Sequence, residues 1–292
     1  MAIELADQPG VANQRNKKFL ALSLLLDLLL PLIHGFLFLW IPWILRSHRN
    51  QESLMFVPYF NFMKFTSRLT KTFSTKIFNK KFYFQPSLLI VAAIHLALNA
   101  FFCVAQTAEF NYRPKSYIVS KRLGAIAIAQ VIPILLFVCK NNVVSALSGL
   151  SSDKSVFFHK WLGRFAFLAA TLHMSFILKY FIGLNRYAVL QVPAQIFGFI
   201  AFSCLGMMNL GSLKLIRKFS FELFLMQHRI FNFFFLLFAF LHHTATRIPL
   251  LVGFLLLVLD RITCIVLEIL HKRKGPTKGK CDFEILDENT TR

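Results

Sequence analysis

Seven long apolar runs divide the chain, and shorter polar stretches separate them. A helix needs about twenty apolar residues to cross roughly 30 Å of hydrocarbon, and each run is close to that length. The pattern predicts an all-α, polytopic membrane protein with about seven transmembrane helices. We expect these helices over 19–45, 87–108, 122–139, 157–182, 192–213, 221–244 and 248–270.

The composition agrees with a chain that lies mostly in lipid. Hydrophobic residues occupy 56% of the 292 positions, and the mean hydropathy is +0.58, which a water-soluble domain would not tolerate. The net charge of +20 does not indicate a nucleic-acid partner, because the basic residues stand between the apolar runs rather than along one surface. Membrane lipid is therefore the expected surrounding.

The basic residues predict the orientation in the membrane. If seven helices cross, four connecting and terminal segments share one side, and they hold more than half of the 33 Lys and Arg. Lys and Arg accumulate in cytosolic loops, so we expect this side to be the cytosol and the C-terminus to lie there. The four segments are 46–86, 140–156, 214–220 and 271–292.

These elements divide the chain into four parts. We expect an external segment over 1–18, two helices with the basic loop over 19–120, a helical core over 121–270 and a cytosolic tail over 271–292. The chain would be a multi-pass protein of the plasma membrane or of an endomembrane such as the endoplasmic reticulum or vacuole.

Two of the expected helices carry histidines at the same interval. HKWLGRFAFLAATLH places His159 and His173 fourteen positions apart, and HRIFNFFFLLFAFLH does the same for His228 and His242. In a helix, fourteen residues rise about 21 Å and return the side chain to within about 40° of its starting direction. Both histidines of a helix therefore face the same neighbour at two depths.

This arrangement predicts two haem sites, one above the other. A single crossing separates the two helices, so they run in the same direction and place their histidines at matching depths. Haem iron accepts axial histidines on both faces. We therefore expect two b-type haems, whose iron is held by His159 and His228 near the inner side and by His173 and His242 near the outer side.

Other interpretations of these histidines leave the spacing unexplained. A histidine in a membrane helix often bonds to a neighbouring helix or lines a polar cavity, and a proton relay could use the same residues. A zinc or copper site is disfavoured, because ligands about 21 Å apart cannot share one ion. His243 adjoins His242 and is an alternative outer ligand.

Several further polar residues in the expected helices need partners. Haem propionates require cations, and Arg164 is the leading candidate because it lies well inside its helix. Asp27, His34 and His95 are expected to make polar contacts between helices. Other basic residues flank the histidines, with snorkelling toward the membrane surface as an alternative role: Lys160 and Arg229 near the inner pair, and Lys121, Arg122 and Arg186 on the outer side.

From residue 121 to residue 268 the chain resembles the ferric reductase-like transmembrane domain of fungal ferric and cupric reductases and NADPH oxidases. The resemblance rests on KRLGAIAIAQVIPILLFVCKNN, FFHKWLGRF, LKLIRKFSFELFLMQH and LVLDRI, together with the second histidines at 173 and 242. It implies an oxidoreductase in which a cytosolic dehydrogenase passes electrons from NADPH through FAD to the inner haem. The outer haem would reduce ferric chelates, cupric ions or dioxygen.

The sequence departs from that family after the last helix. The tail HKRKGPTKGKCDFEILDENTTR contains no flavin-binding barrel or dinucleotide motif. We expect either a truncated product or a separate flavoprotein that supplies FAD and NADPH, with CDFEIL as the possible opening strand of the barrel. Two other functions remain open, namely a catalytically incomplete scaffold and a channel or transporter, although the latter is disfavoured by the few acidic residues within the helices.

Overall fold

A computed structural model describes residues 8–47, 56–77, 80–273, 285–287 and 290–291. Seven helical spans in this part of the chain are long and apolar enough to cross a membrane, which confirms the predicted number. The protein is therefore an all-α, multi-pass integral membrane protein. The spans are Gln8–Ile44, Pro86–Val104, Lys115–Leu136, Ser152–Gly183, Pro193–Gly211, Phe221–His242 and Thr244–Leu270.

The helices and strands are numbered in chain order. The helices are α1 (Gln8–Gly35), which continues through a π-helical segment (Phe36–Trp40) into α2 (Ile41–Ser47), α3 (Phe56–Thr70), α4 (Pro86–Val104), α5 (Lys115–Ala129), α6 (Val131–Leu136), α7 (Val143–Ser148), α8 (Ser152–Gly183), α9 (Tyr187–Leu190), α10 (Pro193–Gly211), α11 (Lys214–Phe219), α12 (Phe221–His242) and α13 (Thr244–Arg273). Two antiparallel strand pairs join β1 (Phe73–Ile77) to β2 (Lys80–Phe84) and β3 (Ile285–Asp287) to β4 (Thr290–Thr291).

Local sequence signals explain where several helices begin. The side chain of Asn142 accepts hydrogen bonds from the first backbone amides of α7, and the Ser220 hydroxyl accepts one from Leu223 at the start of α12. Such caps satisfy backbone donors that lack a partner within the helix. Pro86 and Pro193 occupy the first turns of α4 and α10, where a missing N–H costs nothing.

Two spans differ in detail from the sequence-based expectation. The first begins at Gln8 rather than at residue 19, so residues 8–18 are helical, and Gln8 and Ala12 are buried. The third consists of two helices that meet at Gln130. Pro133 explains this break, because proline has no N–H for the carbonyl four residues earlier and its ring clashes with that carbonyl.

The packing of the spans positions the two histidine-bearing helices. Leu123 and Ile126 of α5 form a buried cluster with Phe165 and Ala169 of α8, while α10 packs along the length of α12. α1 packs against α4, α5 and α7, and α13 packs against α6 and α12. The histidines of α8 and α12 are half-buried within this arrangement.

The tail falls mostly outside the described residues. Residues 281–284 of CDFEIL are not described, while the rest of that stretch lies in β3, which pairs with β4. The interpretation of CDFEIL as the first strand of a flavin-binding barrel stays a prediction.

Candidate functional site

The structure brings His159 and His228 together at the level that we call the inner level. Their ring centroids lie 6.1 Å apart, with 64° between the ring planes. The Nδ1 atom of His159 lies 3.0 Å from the carbonyl oxygen of Ile134. A carbonyl can only accept, so Nδ1 carries the proton and the Nε2 atom of His159 is left with a free lone pair.

His173 and His242 form the outer level, and each ring is held in the same manner. Nδ1 of His173 donates to the carbonyl oxygen of Ser120 at 2.8 Å, and Nδ1 of His242 donates to that of Ala194 at 2.7 Å. His173 is close enough to both His242 and His243 to interact with them electrostatically. Histidines that bind metals commonly donate their second N–H to a carbonyl in this way, which fixes the tautomer.

Two glycines lie against the histidine rings of the outer level. We call the accepting carbonyl and the glycine that hold each ring its cradle. A Cβ atom at Gly198 would lie 2.6 Å from the ring of His242, and one at Gly124 would lie 3.0 Å from that of His173. Each glycine follows the accepting carbonyl by four residues, in Ser120-x-x-x-Gly124 and Ala194-x-x-x-Gly198. Such small-residue spacing lets membrane helices approach closely, and it is the sequence signal that could have revealed these cradles.

The inner level is less constrained than the outer level. His228 lies against Phe224, with 5.5 Å between the ring centroids. Its Nδ1 atom is buried, and among the described residues it has no hydrogen-bond partner. One ring of the inner level is therefore fixed by a backbone carbonyl, whereas the other is fixed by packing alone.

His243 occupies a different environment from His242. Its Nδ1 atom accepts a hydrogen bond from the backbone amide of Ala245 at the start of α13, and its side chain is exposed. Burial of part of the ring, together with Lys121 and His242, lowers the pKa of His243, so the ring is neutral at pH 7. These contacts favour His242 as the member of the outer level.

The basic candidates divide into those near the histidines and those directed elsewhere. Lys160 interacts electrostatically with Arg164, and also with Arg217, which the sequence did not single out. Arg217 stacks on Phe224, the ring that contacts His228, so these three cations lie at the inner level. Arg164, like Arg229 and Arg186, is exposed.

Arg122 is not brought to the outer histidines. Its guanidinium is fully buried, donates to Asn16 and to the carbonyls of Phe102 and Ala105, and lies 4.0 Å from the centre of the Phe19 ring. It therefore ties α5 to α1 and α4. Lys121 is the cation that interacts electrostatically with His173.

Asp27, His34 and His95 make the polar contacts between helices that the sequence predicted for them. His95 Nε2 lies 2.7 Å from Asp27 Oδ1, and His34 Nε2 lies 3.1 Å from the Ser87 hydroxyl. Within the described ranges, no group of three or more His, Cys, Asp or Glu side chains could hold a metal ion. Each histidine level thus offers a pair of imidazoles rather than a larger cluster of metal-binding side chains.

The centroid spacing of the inner pair matches that of two imidazoles that bind one iron ion from opposite sides. Metal–imidazole bonds are about 2 Å long, and a ring nitrogen lies about 1 Å from the ring centre, so two opposed imidazoles on one ion have centroids about 6 Å apart. The observed 6.1 Å agrees with this. Gly163 lies one turn beyond His159, and none of the described atoms comes within 4 Å of a Cβ placed there, so this side of α8 is open.

Seven spans with histidines at two depths define the class of the molecule, a multi-pass membrane protein built around paired imidazoles. Residues 123–239 match the family model of the ferric reductase like transmembrane component. The match runs from α5 into α12 and includes His159, His173 and His228.

Yeast reductases are among the similar proteins. Ferric reductase transmembrane component 3 of Saccharomyces cerevisiae is 35% identical over 111 residues, which cover 38% of this chain and 16% of the relative. Ferric/cupric reductase transmembrane component 2 of the same yeast is 34% identical, with the same coverage. Ferric reductase transmembrane component 1 of Schizosaccharomyces pombe is 26% identical over 53% of this chain and 28% of the relative. The chain thus spans less than a third of each relative, and no solved structure matches it.

Proposed function

We propose that this chain carries electrons across a membrane through two b-type haems, as the transmembrane part of a metalloreductase-type oxidoreductase. The observation that carries the proposal is the geometry of the four histidines, which lie at two levels and of which three donate Nδ1–H to a backbone carbonyl. His159 and His228 would hold the inner iron, and His173 and His242 the outer one. Haem, when bound, supplies the one-electron redox chemistry.

The residues of the chain orient and insulate these centres. The carbonyls of Ile134, Ser120 and Ala194 fix three imidazoles in the tautomer whose Nε2 can bind iron. The cations of the inner level, Arg164 among them, would compensate the propionate charges there, and Lys121 would do so at the outer level. Apolar spans exclude water between the two levels.

The donor and acceptor are proposed from the relatives. Their names describe ferric and cupric reductases, so we infer ferric or cupric ions as the acceptor on the outer side, with dioxygen as the alternative for an oxidase. NADPH would supply electrons through FAD, carried by a separate domain or by a partner flavoprotein on the cytosolic side. The C-terminus would face that side, in the plasma membrane or an endomembrane.

Optical spectroscopy of the purified chain tests the proposal. After expression with ample iron and haem, we expect low-spin, six-coordinate haem at about two per chain. His159→Ala should remove the inner haem and His173→Ala the outer one, while the control His243→Ala should retain both. A chain without haem, or one whose haem is lost only in the control, would refute the assignment.

An electron-transfer assay distinguishes a chain that passes electrons from a catalytically incomplete scaffold. Haem in the purified chain should be reduced by NADPH when a soluble flavin reductase is added, and reoxidised by a ferric chelate. Haem that stays oxidised under these conditions, although dithionite reduces it, would favour the scaffold.

A further inference from the structure

A stripe of polar side chains runs along the buried face of α1. Asn16, Ser23, Asp27 and His34 follow one another at spacings of seven and four residues, which place them on one face of a helix. Ser23, Asp27 and His34 are at most 2% exposed. Polar groups at this depth are costly in lipid and commonly mark functional positions.

Each of these residues meets a polar side chain from α4 or α5. The Ser23 hydroxyl donates to Asn99 at 2.6 Å and accepts from Gln130 at 2.9 Å. Asn16 accepts from Arg122, and the remaining two contacts, of Asp27 with His95 and of His34 with Ser87, were described above. These four residues and their partners form a polar layer between α1, α4 and α5, which we call the seam.

The contacts of His95 determine where its proton lies. The indole N–H of Trp161 donates to His95 Nδ1 at 3.2 Å. An indole can only donate, so Nδ1 carries no proton. The proton is then on Nε2, which lies 2.7 Å from Asp27 Oδ1. His95 is therefore neutral, and an ionised Asp27 would leave the pair with one negative charge. Such a charge within the membrane requires either a compensating positive charge or a proton.

The structure provides room for that proton and for water beside it. Within the described part of the chain, the buried atoms that lack a hydrogen bond of good geometry include both carboxylate oxygens of Asp27, together with His95 Nε2, Gln130 Oε1 and His34 Nδ1. A cavity of about 10 Å³ is lined by Asp27, Pro31, His95 and Trp161 among others, which is close to the space that one water molecule needs. Pro31 has no N–H for the Asp27 carbonyl, which adds an acceptor for that water.

The two ends of the seam differ in charge and in access. At one end, half-buried Gln85 donates to the Ser87 hydroxyl, which contacts His34, and Lys154 of α8 interacts electrostatically with His34. At the other end, the fixed cation of Arg122 opposes the passage of a proton. Of the titratable and charged groups in the seam, His95 contacts Asp27 directly, while His34 and Arg122 lie further along it. The half-buried Gln85 marks the end from which a proton would enter.

We propose that Asp27 is a redox-linked proton site, which takes up one proton at Oδ2 from the Gln85 end when an electron reaches the inner level and releases it when the electron leaves. This inference rests on the proposed function. Trp161 holds His95 from one side of α8, and His159 lies two residues away on the other side. Reduction removes one positive charge from the inner level, and the proton on Asp27 replaces it.

Potentiometric titration of the purified, haem-loaded chain tests the inference. We expect one of the two midpoint potentials to fall by up to about 59 mV for each tenfold decrease in proton concentration. Asp27→Asn should abolish this slope, whereas the control Asp153→Asn, which changes an exposed carboxylate on α8, should retain it. Potentials independent of pH in the wild type, or an unchanged slope in Asp27→Asn, would overturn the proton site.

Infrared difference spectra supply a second measurement that does not depend on turnover. Reduction of the wild type should produce the C=O band of a protonated carboxylic acid, and Trp161→Phe, which frees the His95 tautomer, should shift that band. Trp161→Phe therefore still tests the inference if Asp27→Asn does not fold. No carboxylic acid band, or one unmoved in Trp161→Phe, contradicts the inference. A chain that binds no haem refutes the proposed function instead.

Discussion

The outer imidazoles lie in cradles that a single methyl group would fill. A Cβ at position 198 would come within 2.6 Å of the His242 ring, which real Cβ contacts do not permit. We expect Gly198→Ala to displace the ring from the Ala194 carbonyl and to lower the haem content from about two per chain toward one. Haem quantification checks this result.

The matched control for this substitution is Gly183→Ala at the end of α8. No described atom lies within 4 Å of a Cβ there, so this variant should bind as much haem as the wild type. Equal haem content in both variants would show that the cradle does not control the ring.

Cys139 offers a test that depends on pH. Burial, reinforced by the nearby Asp260, raises the pKa of its thiol to about 11. Only the thiolate is nucleophilic, and the raised pKa means that this form appears only as the pH approaches 11. In a variant that lacks the other cysteines, we expect negligible alkylation by iodoacetamide at pH 7.5 and a rate that rises with pH up to that value. A rapid reaction at pH 7.5 would show that Cys139 is accessible and ionised.

At the level of single residues, the sequence predicted those positions that recur at a regular helical interval. The repeated interval identified four histidines that the structure brings to two depths. The carbonyls of Ile134, Ser120 and Ala194 could not be predicted, because a backbone acceptor has no side-chain signature. Arg122 was grouped with the outer cations, because the sequence gives its depth but not the direction in which its side chain extends.

Helix boundaries followed the apolar runs only in part. Residues 8–18 are too polar to be read as a span, yet tertiary contacts such as the one between Asn16 and Arg122 extend α1 into them. The break at Gln130 lies inside an apolar run, where hydropathy alone indicates continuity. Pro133 was the available signal, and it acts through the backbone rather than through hydropathy.

The inner end of α13 is held by one carboxylate. Asp260 Oδ1 accepts from the backbone amide of Asn141 at 2.9 Å, and Oδ2 pairs with Arg261. Hydrogen bonds to a charged group contribute about 1.5–3 kcal/mol. We expect Asp260→Ala to lower the free energy of unfolding by about 2 kcal/mol, measured by thermal unfolding in detergent.

Thr263→Ala on the same helix is the control for this tether. The Thr263 hydroxyl is exposed and bonds only within α13, to the Leu259 carbonyl. Its loss should change stability by less than about 0.5 kcal/mol. If the two variants unfold at the same temperature, Asp260 does not anchor α13.

For the whole molecule, the number of spans and the charge bias together predict the topology. If all seven spans cross the membrane, the segments before the first and after the last lie on opposite sides. In intact cells, we expect a tag after Arg292 to be labelled only upon permeabilisation. A tag inserted at Asn185, between α8 and α10, should be exposed on the opposite face of the membrane. Tags that are both accessible from one side would contradict the orientation.

One residue, His243, separates α12 from α13. α13 contains 30 residues and is therefore about 45 Å long, so it reaches from the outer imidazole back to the opposite face of the membrane. Because one residue joins the helices, a displacement of the start of α13 is passed directly to His242, while Pro249 is a point at which the rest of α13 can bend. A contact that moves the start of α13 would therefore displace the imidazole that we propose as a ligand of the outer iron.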